Sequence, residues 1–157
     1  MNNIATWRRF AQLSGPERAT VLRAAFVLTA TWLGLRILGF RRWKNLLERA
    51  LPVATPAKLS DPALLSQAQQ LTRWHSAAAR HLLLRTNCLE QAMSLYFLLR
   101  RRRLPAELRF GARKDAARLE AHAWVVCLGA PLNEDRGEHR HFFPFDGVTP
   151  LMETLPD

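Results

Sequence analysis

Two residues in this sequence have the types and the setting that covalent catalysis uses, Cys88 and His122. Cys88 follows Asn87 at what reads as a helix start, Asn87-Cys-Leu-Glu-Gln-Ala. Asn is a favoured helix cap, and the unpaired N–H groups and positive end of a helix stabilise a thiolate, the reactive form of the side chain. A lone cysteine more often fills space in a core, so position carries the functional reading. His122 lies in Glu120-Ala-His-Ala-Trp-Val-Val126. In an extended strand it shares a face with Trp124 and Val126, while Ala121, Ala123, Val125 and Cys127 take the other. The small and apolar set marks the core face, so Cys127 is expected to be structural. A base must meet its thiol in space rather than in sequence, and the 34 residues from Cys88 to His122 fit a Cys/His pair for acyl transfer. A third group would hold the imidazole through its other nitrogen. Asn133, Glu134 and Asp135 all follow on the next segment, and the register of the intervening turn leaves that choice open.

These residues need elements to position them. Ser14, Pro16 and Glu17 predict a helix start, with the helix running to about residue 39 and a short basic helix following at 41–50. Residues 51–60, with Pro52 and Pro56, predict a linker. Asp61-Pro62 starts a second helix reaching about residue 84, and Asn87 starts a third, from 88 to about 103, apolar at Leu89, Ala92, Leu95, Tyr96 and Leu99. After Pro105 the spacing changes to alternation. Strands are expected from 106 and over 119–128, with a reversal at Gly129-Ala130-Pro131, a third strand from about Leu132, and a last strand or edge at Phe142–Phe145. Helices followed by an antiparallel sheet make an α+β fold. Residues 1–60 form a basic, apolar helical region and residues 61–157 the core that carries the site, in one compact unit.

The length of 157 residues suits one core, and five Trp and eight Phe supply surface to pack in it. Residues 1–60 hold ten Lys/Arg against two Asp/Glu, a net of +8 out of +10 for the chain. Such a patch suits an acidic peptide or an anionic membrane surface. The twelve uncharged residues 24–35 fall short of the roughly 20 that span a bilayer. They predict a core helix, with a helix lying in a membrane interface as the other reading. Two cysteines with no secretory signal before them point to a reducing cytoplasm. Nucleic-acid binding is not expected, because Arg100–Arg103 lacks interleaved aromatics and any recognition motif. The arginines are instead expected to finish the third helix at its negative end. His139 and His141 lack further ligands at usable spacing, so neither a metal nor another cofactor is expected.

Four runs in order, Asn87-Cys-Leu-Glu-Gln-Ala, Leu98-Leu-Arg-Arg-Arg-Arg-Leu-Pro-Ala106-Glu-Leu, Gly111-Ala-Arg-Lys and Ala121-His-Ala-Trp-Val125, resemble the lasso peptide biosynthesis B2 proteins. These are microcin-processing, transglutaminase-like cysteine peptidases. The resemblance is close over residues 87–146 and looser in the N-terminal helix. It implies a papain-related core whose nucleophile helix packs on an antiparallel sheet. It also implies that Cys88 and His122 act on a ribosomal precursor peptide, removing its leader. The partners implied are a small leader-binding protein and an ATP-dependent cyclase that closes the ring. Glu134 stands at the family's acid position, twelve residues after His122, where Asp is common, and Asp135 is the alternative. Two further departures are Arg103 in place of Gly and Ala112 in place of Val. A transglutaminase or amidase would use the same residues, and a non-catalytic peptide-binding or membrane-associated scaffold would use the surface alone.

Overall fold

The computed structural model describes residues 12–52, 61–115, 118–133 and 142–144. Helices α1 (Gly15–Arg49), α2 (Pro62–His81) and α3 (Cys88–Arg101) come first. Strands β1 (Ala106–Asp115), β2 (Arg118–Cys127), β3 (Ala130–Pro131) and β4 (Phe143–Pro144) follow. They form an antiparallel sheet of order β3-β2-β1-β4. The α+β expectation holds.

The two N-terminal helices expected from sequence meet in α1 at Gly39, whose non-helical φ of 73° glycine adopts without steric cost. The bend folds the basic segment back onto the first. A Cβ built on Gly34 would lie 2.3 Å from Trp43 Cδ2, so the indole rests directly on the glycine backbone. Ala24, Leu28, Thr31 and Gly34 form the buried stripe of α1, which packs along α2 and α3. The rest of its apolar surface stays outside: Phe26 is 75% exposed, Ile37 68% and Leu22 60%. An 18-residue window of α1 has mean hydropathy 1.6, and only 22% of it is buried. The helix is therefore long and apolar enough to cross a membrane, which a count of uncharged residues alone did not suggest. The core-helix expectation describes one stripe of it.

Asp61 begins α2 by accepting N–H bonds from Ala63 and Leu64, with Pro62 directly after it. The helix stops at His81, three residues earlier than its Ala/Leu-rich run suggested. Helix α3 ends in a Schellman arrangement. Leu104 N–H donates to Leu99 C=O at 3.1 Å and Arg103 N–H to Arg100 C=O at 2.9 Å. Leu104 is buried with Leu99 in the core. That motif needs a left-handed residue, and Arg103 supplies it with φ 60°. A side chain there costs about 1 kcal/mol against glycine. Two neighbouring arginines tie the end of α3 to α1 and the residue after it. Arg101 donates to the Ala50 carbonyl at 3.2 Å and Arg102 to Thr20 Oγ1 at 3.1 Å.

Strands β1 and β2 pair from Ala106↔Cys127 to Asp115↔Arg118. Their core face carries Ala106, Ala123, Val125 and Cys127, packed with Ala92, Leu95 and Leu99 of α3 and with Ala68 and Leu71 of α2. The reversal after β2 differs from expectation. It is made by Leu128 (φ 51°) and Gly129 (φ 80°), a two-residue turn whose paired positive φ values match strand twist. Strand β3 is therefore Ala130–Pro131 rather than a segment starting at Leu132. Pro131 sits on an outer strand, where its missing N–H costs no ladder bond. Beyond it, Leu132 N–H donates to Val125 C=O at 2.9 Å.

Candidate active site

Cys88 opens α3 and is half-buried, and neither cysteine is in a disulfide. The turn that carries it is fixed reciprocally. Asn87 Oδ1 accepts the Glu90 N–H at 3.0 Å, and Glu90 Oε2 accepts the Asn87 N–H at 2.8 Å. This is a capping box, which places Cys88 at the first helical position with its N–H pointing out of the helix end. Gln91 adds a tie to the preceding loop, its Nε2 donating to the Thr86 carbonyl at 3.3 Å and to Thr86 Oγ1 at 3.2 Å. Cys127 lies fully buried in the core, and burial pushes its thiol up. The two cysteines thus occupy opposite environments, as alternation and capping predict.

His122 pairs with Gly111 across the ladder. Its ring stacks on Phe142 at 5.0 Å and on Trp124 at 6.0 Å between centroids. Gly111 makes this stacking possible, because a Cβ there would stand 3.0 Å from both Phe142 Cβ and Trp124 Cη2. On the same face Arg113 bonds Glu120 at 2.7 Å and lies over the Phe142 ring at 4.8 Å.

Helix α1 brings the two candidate regions to one end of the domain. Arg36 holds Glu90, two residues after Cys88, at 2.7 Å. Phe40, four residues further along α1, meets Phe110 edge-on at 5.8 Å, and Phe110 is the neighbour of Gly111. The start of α3 and the His122 level of the sheet therefore flank the same part of α1. Alternation sets His122 on the face opposite Ala123. The described part of β3 pairs only with Val126 and Cys127, so His122 lies on an outer stretch of β2 among the described residues. The imidazole is packed there between Trp124 and Phe142. Of the three candidates for the third group, Asn133 accepts the Val125 N–H through Oδ1 at 2.7 Å and so serves the strand edge. Glu134 and Asp135 lie outside the described residues, as do His139 and His141.

A buried histidine was missed in the sequence. His75 of α2 is 1% exposed, and its Nε2 lies 2.7 Å from Ser94 Oγ of α3. Ser94 gives its only proton to the Gln91 carbonyl at 3.0 Å, so the ring is the donor and carries its hydrogen on Nε2. The available signal was the spacing of Ala68, Leu71, His75 and Ala78 along one helical seam. Burial lowers the His75 pKa from 6.5 to about 4. The unfolded chain therefore takes up a proton near pH 6.5 that the folded chain refuses until about pH 4. Stability is intact above the upper value and falls through that window by about 1.4 kcal/mol per pH unit, roughly 3 kcal/mol in all. His75→Gln keeps a neutral donor for Ser94. Urea unfolding at pH 7.5 and 4.5 is expected to show a smaller acid loss in this variant, and equal losses would refute the assignment.

The structure thus sets a half-buried thiol on a capped helix start that packs against an antiparallel sheet. The chain belongs to the transglutaminase-like superfamily, whose family profile matches residues 18–145. Members of that superfamily are typically enzymes of the cysteine peptidase and transglutaminase type. The match runs across residue 60, so the N-terminal helix is part of the family's domain. No curated protein and no solved structure matches the chain.

Proposed function

We propose that this protein is a cysteine peptidase that removes the leader from a ribosomally made precursor in lasso peptide maturation. The observation that carries this reading is Cys88 at the capped first turn of α3, half-open to solvent, at the same end of a transglutaminase-like domain as His122. The Cys88 sulfur attacks the scissile carbonyl while His122 takes the thiol proton. The proton then goes to the leaving amine, and the acyl group stays on sulfur as a thioester. Water, deprotonated by His122, hydrolyses the thioester and restores the thiol. The Cys88 backbone N–H, which has no intrahelical acceptor, is a donor for the oxyanion. Glu134 is assigned to orient His122, with Asp135 as its alternative. The reaction takes place in the cytoplasm, and the exposed apolar face of α1 with the basic charge around it suits docking at a membrane surface or on the small leader-binding protein. The freed core then passes to the ATP-dependent cyclase.

The test incubates the protein with a leader-bearing precursor and the leader-binding protein, with an added primary amine, and reads the products by mass spectrometry. A free leader and core are expected. An amine adduct without hydrolysis would assign acyl transfer to amines instead. His122→Ala should lose cleavage and also slow alkylation of Cys88 at neutral pH, and an unchanged alkylation rate would count against the Cys/His pair.

A further inference from the structure

The turn that presents Cys88 contains a buried negative charge. Glu90 has a side chain only 3% exposed, and its Oε2 serves the capping box. A carboxylate at that depth, two residues from the nucleophile, would repel the charge that develops on the attacking sulfur. Its other oxygen accepts a hydrogen bond from Arg36 Nη1 at 2.7 Å, across 54 residues of sequence. Arg36 is itself held in place. The same Nη1 donates to the Trp32 carbonyl at 3.0 Å, and the guanidinium lies 3.9 Å from the centroid of the Trp32 ring. The cation is thus anchored on α1 and aimed at the start of α3.

We infer that Arg36 is a positioning residue for the active site, neutralising Glu90 so that the capping box holds Cys88 without leaving a net negative charge beside its sulfur. This rests on Cys88 being the nucleophile. It gives part of the basic N-terminal helix a role inside the site, distinct from docking. The Arg36 side chain is 48% exposed, so removing it leaves Glu90, the buried member of the pair, without its partner. Removing both charges keeps the hydrogen bonds of the box, because Gln can accept from the Asn87 N–H as Glu does.

The experiment measures alkylation of Cys88 by iodoacetate, an anion, and by iodoacetamide, which is neutral and of nearly the same size. A Cys127→Ala background leaves one thiol to report. In Arg36→Met the ratio of iodoacetate to iodoacetamide rates is expected to fall about fivefold, as an unbalanced local charge predicts. In Glu90→Gln, where Arg36 is left in excess, the ratio should rise. The double variant Arg36→Met/Glu90→Gln should return close to the parent, and Arg36→Lys should stay there. A purely structural contact would change both rates together and leave the ratio alone. An unmoved ratio in both single variants, with Cys88 reactive in the parent, overturns the role of Arg36 only. A Cys88 in the parent that reacts no faster than an unstructured thiol overturns the nucleophile assignment beneath it.

Discussion

Cys88→Ala is expected to abolish leader release from a precursor peptide, while Cys127→Ala leaves it close to the parent rate. Removing a nucleophile takes away the covalent step itself, and residual rates from binding alone typically lie about 10⁴-fold or more below the parent. Cys88 is half-exposed at the first position of α3, where a substrate carbonyl can approach it. Cys127 is fully enclosed by the core cluster, so no substrate reaches it. Its replacement removes one buried sulfur, at a stability cost of about 1 kcal/mol. Mass spectrometry of precursor incubated with each variant decides the matter. Equal loss from the two would remove Cys88 from its role, because a substitution in the core would then suffice to explain both.

Gly34→Ala is expected to destabilise the fold by about 3 kcal/mol, near the top of the usual range for overpacking. For a chain of this size that corresponds to a fall of roughly 6–12 °C in Tm. The added methyl would sit 2.3 Å from Trp43 Cδ2 and 2.4 Å from Cε3. No rotamer of a neighbour's flexible tip relieves this, since the obstacle is the fused ring of a tryptophan packed on the backbone. The return segment of α1 must move away, although Gly39 keeps the bend permissible. Trp43→Ala should be destabilising alone, and the double variant should cost less than the two losses added, because the clash disappears with the indole. Thermal unfolding of the four proteins tests this. Full additivity would mean that Trp43 does not rest on Gly34.

The parts of this fold that were legible in the sequence are those written in neighbouring residues. Asn87 before Cys88 announced a helix start, and the Ala/Val alternation around His122 announced a strand and its core face. The Gly129 turn was legible as a reversal but not in register. Leu128 supplies the first positive φ, and nothing in a leucine advertises that. The contacts that organise the site were not legible, because each joins residues far apart in the chain. Arg36 reads as one charge among ten in the first 60 residues until α1 is laid against α3. His75 reads as a polar interruption in an Ala-rich helix until Ser94 faces it. The four consecutive arginines carry little local information, yet the fold gives Arg101, Arg102 and Arg103 three different tasks.

The ties between α1 and α3 also have a consequence in time. Ala50 and the Arg101 that caps it are 51 residues apart, and ribosomes add about 5–20 residues per second. For about 3–10 s of synthesis, α1 exists without α3, one of the two helices that pack along it. During that interval the surface of α1 that α3 will cover is as bare as the outer face bearing Phe26 and Ile37. The nascent chain presents an apolar helix with basic ends, the kind of segment that chaperones and lipid headgroups compete to hold.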